Sequence, residues 1–253
     1  MDYKTLRLEQ EGSIARLALA RPDNANRIDL RCLQELTDAC ETISRTEGIA
    51  LAVLTGDGPD FCAGWDAEAQ AHLRSTADHL DPFGCIGALP VPVLAALQGE
   101  VASAGLELAL VCDLRIARAD ARFACPDIEA GSMPLGGATA RLPRIAGRTV
   151  AASMLLLGEE LDAEAAYRCG LVSRVLPVAG FDDALKSIEQ RITANGPLGL
   201  RYAKEAVHNG IELPLDQALR YELDLSIILQ TTRDRAEGVE AFRDKRPPRF
   251  EGR

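Results

Sequence analysis

The spacing of apolar and polar residues predicts alternating strands and helices over the first two-thirds of the chain. Apolar and polar residues alternate over Lys4–Glu9 and Ile14–Ala20, on either side of Glu11-Gly12, which predicts a β-hairpin. Asp29 is placed to cap an amphipathic helix that begins at Leu30. Short apolar runs predict further buried strands at Ile49–Leu54, Pro92–Leu97, Asp113–Arg118 and Leu171–Leu176.

Beyond Gly137 the apolar residues take the spacing of helices. Leu213–Gln230 carries an apolar stripe with little core of its own to cover it, and such stripes often pack on a neighbouring subunit. We therefore predict an α/β core over residues 1–195 and a C-terminal helical oligomerisation region over residues 196–253. The other helices are predicted at Ala138–Ile145, Thr149–Leu157, Ala163–Cys169, Phe181–Ile192, Pro197–His208 and Glu237–Lys245.

Composition narrows the class of protein. A net charge of −10 over 253 residues disfavours a general nucleic-acid surface, since phosphate binding depends on Lys and Arg. The seven cysteines include no CxxC pair and lie among apolar residues, as expected of buried free thiols in a reducing compartment. Because no signal-peptide core and no apolar run of ~20 residues is present, we expect a soluble cytoplasmic protein with no membrane contact.

One carboxylate falls inside an apolar stretch. Residues 98–113 follow the predicted strand at Pro92–Leu97, pass through small residues, and continue with helical spacing that places Leu106, Leu110 and Leu114 on one side. Glu107 lies within this run, where an ionised carboxylate is costly, so we expect its pKa to be raised, as is common for a general acid or base. The alternative is a carboxylate in the first turn of a helix, where negative charge is favoured in any case.

A second unusual place is Phe61–Asp66, where a strand gives way to a turn of small residues and then a helix. Backbone N–H groups at such a turn are free to bind an anion or a polarised carbonyl oxygen. The alternative is an ordinary loop that contains a glycine. His72 and His79 follow on the predicted helix, and we interpret both as solvated because they lack partners at metal-ligand spacing.

Taken together, these stretches resemble the enoyl-CoA hydratase/isomerase (crotonase) family. The resemblance covers nearly the whole chain, and the order and spacing of its motifs are more specific for the fold than for the reaction. The motifs are Arg21-Pro22 with Ala25-Asn26, Phe61–Asp66, Gly99–Asp113, Pro126-Asp127 with Gly131–Pro134 and Arg141-Leu142, Gly158, Ala163–Ala165, Gly170–Val172, and Phe242 with Lys245–Phe250.

The resemblance implies an α/β fold, a crotonase-like spiral of ββα turns with a C-terminal helical trimerisation region, assembled as a homotrimer or dimer of trimers. It also implies an acyl-CoA thioester substrate, with no metal and no cofactor beyond the CoA that the substrate carries. The backbone N–H groups of Trp65 and Ala104 would form an oxyanion hole that stabilises an enolate. The residues implied for binding the substrate and its CoA are Asn24, Ala25, Asn26, Arg27, Ala63, Gly64, Asp66 and Lys245, the last a candidate for supply by a neighbouring subunit.

Glu107 matches the first of the two glutamates that hold the attacking water in hydratases of this family. The second position is Asp127, whose carboxylate reaches ~1.5 Å less far than that of a glutamate. Ser103-Ala104 stand where glycines are usual, and the bulky Trp65 could line the acyl pocket. The leading hypothesis is hydration or its reverse. The alternatives are double-bond isomerisation, thioester hydrolysis, decarboxylation and a non-catalytic CoA-binding role.

Overall fold

The computed structural model describes residues 3–75 and 81–253. Its main sheet has six strands in the order β1-β2-β3-β4-β6-β9, in which β1 and β2 pair antiparallel and every later pair is parallel. The predicted hairpin is confirmed, with Glu11 opposite Ile14 at its closed end. The six strands are β1 Leu6–Glu11, β2 Ile14–Leu19, β3 Leu51–Gly56, β4 Val93–Leu97, β6 Leu114–Arg118 and β9 Arg174–Leu176.

A second sheet of three short strands lies beside the first, in the order β5-β7-β8. It consists of β5 Glu100–Ala102, β7 Arg122–Ala124 and β8 Leu161–Asp162. The strands β5 and β8 were not predicted from the sequence. Runs this short contain too few alternating positions to show a strand period, so only the pairing partners reveal them.

The helices agree with most of the sequence predictions. Asp29 caps the first helix, since its carboxylate accepts a hydrogen bond from the Cys32 N–H at 2.7 Å. Among the described residues, no helix is long and apolar enough to cross a membrane. The helices are α1 Leu30–Arg45, α2 Ala67–Ser75, α3 Gly84–Gly87, α4 Ala104–Leu110, α5 Ala138–Ala146, α6 Arg148–Leu156, α7 Ala163–Arg168, α8 Phe181–Thr193, α9 Pro197–Gly210, α10 Leu215–Gln230 and α11 Arg233–Asp244, with a 3-10 turn at Pro22–Asn24.

One helix prediction was wrong at its end. Leu114 was expected on the same helical side as Leu106 and Leu110, but α4 ends at Leu110. Leu114 begins β6, which confirms the strand predicted at Asp113–Arg118. The chain leaves the helix because Asp113 joins the sheet: its N–H donates to the Val93 carbonyl at 3.0 Å, and its carboxylate accepts from the Val93 N–H at 2.6 Å.

The main sheet is covered on both faces. Successive side chains of a strand point to opposite faces, so Leu51 and Val53 lie on one side of β3 while Leu54 lies on the other. The first pair packs in a cluster with Phe181 of α8, and Leu54 belongs to the larger core cluster that includes α1. All seven cysteines are free thiols, and five are buried, which confirms that part of the cysteine prediction.

The C-terminal helices leave their apolar stripe uncovered in the single chain. Neither α9 nor α10 buries more than one residue. This exposure is what an interface between subunits would leave in a single chain, and the oligomerisation role of residues 196–253 stays a prediction. The stripe on α10 consists of Leu215, Leu219, Leu223 and Ile227, with exposed fractions of 55–75%.

An ion pair ties α9 to the end of the main sheet. Lys204 extends from α9 and places its ammonium 2.9 Å from the Asp113 carboxylate and 3.0 Å from the Val91 carbonyl. Both side chains of the pair are largely buried. Loss of one partner of such a pair is costly because the other charge is left without compensation.

We expect Asp113→Ala to lower the free energy of unfolding by about 3 kcal/mol, because the largely buried Lys204 ammonium loses its counter-charge. Urea unfolding measures this loss. The matched control is Asp244→Ala, which removes a carboxylate paired with the exposed Arg243 and should change stability by less than about 0.5 kcal/mol. Equal effects of the two substitutions would contradict an anchoring role for Asp113.

Candidate active site

Two segments that the sequence singles out lie against each other. The Cys62 N–H donates to the Glu100 carbonyl at 3.0 Å, and the Ala102 N–H donates to the Cys62 carbonyl at 3.0 Å. A Cβ added to Gly105 would lie 2.2 Å from the Cys62 carbonyl oxygen, so only glycine permits this approach. The turn after β3 and the start of α4 are therefore packed in direct contact.

Each of these segments carries a backbone donor without an acceptor in the described part of the chain. The Ile28 N–H donates to the Gly64 carbonyl, and the Ile28 carbonyl accepts from the Asp66 N–H. The N–H of Trp65, which lies between Gly64 and Asp66, is not used in this bridge. Ala104 is the first residue of α4, where helix geometry offers its N–H no partner. A Cβ on Gly64 would lie 3.3 Å from the Ser103 Cβ, so the two donor-bearing turns touch.

Glu107 is completely buried one turn into α4. Its Oε1 accepts hydrogen bonds from the N–H groups of Gly136 at 2.6 Å and Ala138 at 3.1 Å, and its Oε2 accepts one from the Trp65 indole Nε1 at 3.3 Å. Burial raises the pKa of Glu107 to about 7, although the two backbone donors oppose the rise. The raised pKa expected from the sequence is thus present, with desolvation as its main cause.

Asp127 is the second buried carboxylate of this region. Its Oδ1 accepts from the Ser103 hydroxyl at 2.8 Å, and its Oδ2 accepts from the Cys125 thiol at 3.4 Å. The negative charge of Asp127 contributes to the raised pKa of Glu107, so the two carboxylates lie within electrostatic range of each other. The structure therefore brings together both predicted catalytic residues.

Two further contacts of the site were not predicted from the sequence. Phe83 stacks on Trp65 with ring centroids 5.3 Å apart and planes 17° from parallel. The backbone of the loop at Gly136 and Ala138 grips Glu107, and a Cβ on Gly136 would lie 2.9 Å from the Glu107 Cβ. The glycines of that loop were a visible signal of close approach, whereas nothing in the local pattern links Phe83 to Trp65.

The predicted substrate-binding loop lies beside the site, but its residues differ in what they offer. Ala25 accepts the Ala63 N–H at 2.9 Å, which joins the loop to the turn after β3. Asn24 and Arg27 are exposed, and the Arg27 guanidinium lies 3.5 Å from the Trp65 carbonyl. Asn26, by contrast, is buried, and its N–H donates to the Arg21 carbonyl at 3.0 Å. Its side chain accepts from the Arg21 N–H and donates to the carbonyls of Asp57 and Asp60.

The remaining predicted positions are more distant or serve the fold. The Asp66 carboxylate accepts the Glu68 N–H at 3.0 Å, close to the start of α2. Lys245 is exposed just after α11, and its contact with CoA stays a prediction. His72 is exposed on α2 as predicted, while His79 lies outside the described residues. Within residues 3–75 and 81–253, no group of three His, Cys, Asp or Glu side chains could hold a metal ion.

Comparison with known proteins identifies the relatives of this chain. The family model described as enoyl-CoA hydratase/isomerase matches residues 9–253. A probable enoyl-CoA hydratase of Mycobacterium tuberculosis is 34% identical over 254 residues, which covers 99% of each chain. A 2,3-dehydroadipyl-CoA hydratase of Escherichia coli is 36% identical over 241 residues, or 94% of each chain.

Solved structures share the same architecture. The crystal structure of an enoyl-CoA hydratase from Bacillus anthracis superposes with a TM-score of 0.94 at 32% identity, covering 99% of this chain and 100% of that one. The similarity confirms the crotonase-like α/β fold that the sequence motifs predicted.

The raised pKa of Glu107 makes stability depend on pH. Between 4.5 and about 7 the native state keeps a proton that the unfolded chain has released. The free energy of unfolding should therefore fall as pH rises through this window, by on the order of 3 kcal/mol from this group. Glu107→Gln cannot ionise, so its stability should lack this decline in urea unfolding between about pH 5 and pH 8.

The control for this measurement is Glu47→Gln, which removes an exposed carboxyl group in the loop after α1. It should keep the pH dependence of the unsubstituted protein. If Glu107→Gln and Glu47→Gln gave the same slope of stability against pH, the raised pKa of Glu107 would be contradicted.

Proposed function

The chain belongs to the enoyl-CoA hydratase/isomerase family, and on that basis we propose that it adds water to, or removes water from, an acyl-CoA thioester. The observation that carries this proposal is the pair of buried carboxylates, Glu107 and Asp127. They lie beside two turns whose Trp65 and Ala104 N–H groups have no acceptor among the described residues. One acid–base pair and one oxyanion site are the groups that hydration of a conjugated thioester requires.

In the proposed reaction the N–H groups of Trp65 and Ala104 bind the thioester oxygen. Addition of a nucleophile at C3 places negative charge on that oxygen, and preorganised donors stabilise it without having to reorient. Loss of one such donor typically costs ~3 kcal/mol of transition-state stabilisation. The contact between the turns of Gly64 and Ser103 supports this assignment, because it places both donors at the same junction.

Glu107 acts as the base that takes a proton from the water as its oxygen adds to C3. Asp127 holds the water and shuttles that proton to C2, so the two parts of one water end on C3 and C2 and both carboxylates return to their starting state. A pKa of about 7 suits Glu107 to this task, because both of its protonation states are populated near neutral pH. Asp127 reaches less far than a glutamate would, so the water lies closer to its backbone.

The CoA portion binds along the loop that contains Asn24, Ala25 and Arg27, and along the turn at Ala63. On a protein with a net charge of −10, an anionic ligand needs local cations, which the exposed Arg27 supplies. Lys245 supplies a second cation from a neighbouring subunit. The assembly that this requires is a homotrimer or a dimer of trimers, joined through the uncovered stripe of α10.

Double-bond isomerisation is the second candidate, and one contact favours it. Backbone donors occupy both acceptor positions of Glu107 Oε1, and the Trp65 indole occupies one of the two on Oε2, so a single position is left for a water molecule or a substrate proton. An isomerase needs only a carboxylate that carries a proton between carbons. Hydrolysis, decarboxylation and binding without turnover are further outcomes of the test below.

The proposal is tested with a panel of 2-enoyl- and 3-enoyl-CoA thioesters of varied chain and ring shape, incubated in water enriched in heavy oxygen and followed by mass spectrometry. We expect a product that is heavier by one labelled water. Glu107→Gln should lower kcat by about 100-fold or more, because the base is lost. Asp127→Asn with undiminished hydration would overturn the role of Asp127.

Other products would change the assignment. A shifted double bond at unchanged mass would make the protein an isomerase and reduce the role of Asp127. Free CoA or loss of carbon dioxide would indicate hydrolysis or decarboxylation. Binding of acyl-CoA with no turnover of any thioester in the panel would support a non-catalytic role.

Trp65 limits the acyl groups that the site accepts, because its buried indole fills space next to Glu107. We expect Trp65→Leu to raise kcat/KM for bulky acyl groups relative to short ones by about 10-fold, as a change of pocket volume typically does. The matched control is Trp65→Phe, which keeps a ring against Phe83 but loses the indole N–H. An unchanged order of preference in Trp65→Leu would show that the indole does not border the acyl group.

A further inference from the structure

The turn that carries the Ala104 N–H contains a serine in a backbone conformation that suits glycine. Ser103 has φ 46° and ψ −115°, and it is one of few residues other than glycine with positive φ in the described chain. A side chain at such angles costs conformational free energy and persists only where its surroundings hold it there. The contacts of this side chain show what holds it.

The Ser103 hydroxyl donates its hydrogen bond to the buried Asp127 carboxylate. The Oγ to Oδ1 distance is 2.8 Å, and the two residues are 9% and 3% exposed. The Ser103 N–H donates to the Ala124 carbonyl at 3.1 Å, so its backbone is also tied to β7, the strand that leads to Asp127. Among the described residues, the other carboxylate oxygen accepts only from the Cys125 thiol, a weaker donor, at 3.4 Å.

Resting on the function proposed above, we propose that Ser103 is a positioning residue for Asp127. Its hydroxyl holds the carboxylate against the turn that binds the thioester oxygen, in the orientation that delivers a proton to C2. Without the hydroxyl, Asp127 keeps its place in the chain but loses its strongest side-chain partner, and its carboxylate rotates among several orientations.

Ser103 and Asp127 form a matched pair. A glutamate at position 127 would carry its carboxylate ~1.5 Å farther along the same direction. Since only 2.8 Å separates the present oxygens, that carboxylate would collide with the Ser103 side chain. A glycine at position 103 would make room for it and would adopt the positive φ without strain. The serine therefore leaves room for an aspartate at position 127 but not for a glutamate whose carboxylate points in the same direction.

The test is a double-mutant cycle on the enoyl-CoA that the unsubstituted protein turns over best. Ser103→Ala should lower kcat by about 10-fold to 100-fold and leave KM within about threefold, because orientation and not binding is lost. In an Asp127→Asn background the same substitution should cost less than about twofold. The control is Ser173→Ala, which removes a hydroxyl bonded to the Arg115 carbonyl outside the site and should leave kcat unchanged.

A second pair of variants separates positioning from a merely structural role. Ser103→Gly should lower kcat while its melting temperature stays equal or rises, because glycine relieves the positive φ. Asp127→Glu alone should be nearly inactive, and Asp127→Glu combined with Ser103→Gly should recover at least about 10-fold of the lost kcat. A merely structural serine would lower melting temperature and kcat together and would show no such recovery.

Equal losses from Ser103→Ala with Asp127 or Asn at position 127 would overturn the positioning role, because the serine would then act independently of the carboxylate. In that case the unsubstituted protein still hydrates its substrate, and the proposed function stands. If the unsubstituted protein turns over no thioester of the panel, the proposed function fails and the positioning role fails with it.

Discussion

The close approach of Gly105 to the Cys62 carbonyl is the contact on which the site depends. It allows the first turn of α4 to lie against the turn after β3, with no side chain between them. Two backbone donors, those of Trp65 and Ala104, are then left at one junction, and Glu107 follows one turn later inside the core. A side chain at position 105 would separate these segments and disperse the site.

Burial of Glu107 places the needs of proton transfer in conflict with the stability of the fold. Removal from water raises its pKa to about 7, which suits proton transfer but makes ionisation costly to the fold. The protein limits this cost with backbone donors from the loop at Gly136 and with the Trp65 indole. These donors also hold the carboxylate in one orientation. The same hydrogen bonds therefore compensate for the lost water and fix the direction of the carboxylate.

The features that set this chain apart from the usual family pattern surround its two carboxylates. Trp65 contacts Glu107, while Ser103 contacts Asp127 and ties the shorter carboxylate to the turn before α4. Both contacts join segments distant in sequence, and both reduce the freedom of an acidic group. Because these four side chains pack in one small volume, we expect substitutions that change acyl preference also to change proton delivery.

The sequence by itself determined the order of most elements, the cap at Asp29, the family motifs and the expectation of a raised pKa for Glu107. Periodicity and capping are local properties, and a carboxylate inside an apolar run signals its own burial. Only the tertiary structure decided the short strands β5 and β8, the stacking of Phe83 on Trp65, the grip of the Gly136 loop on Glu107, and the bond from Ser103 to Asp127. Each of these depends on how remote segments pack, and a local pattern holds no information about a partner that lies many residues away.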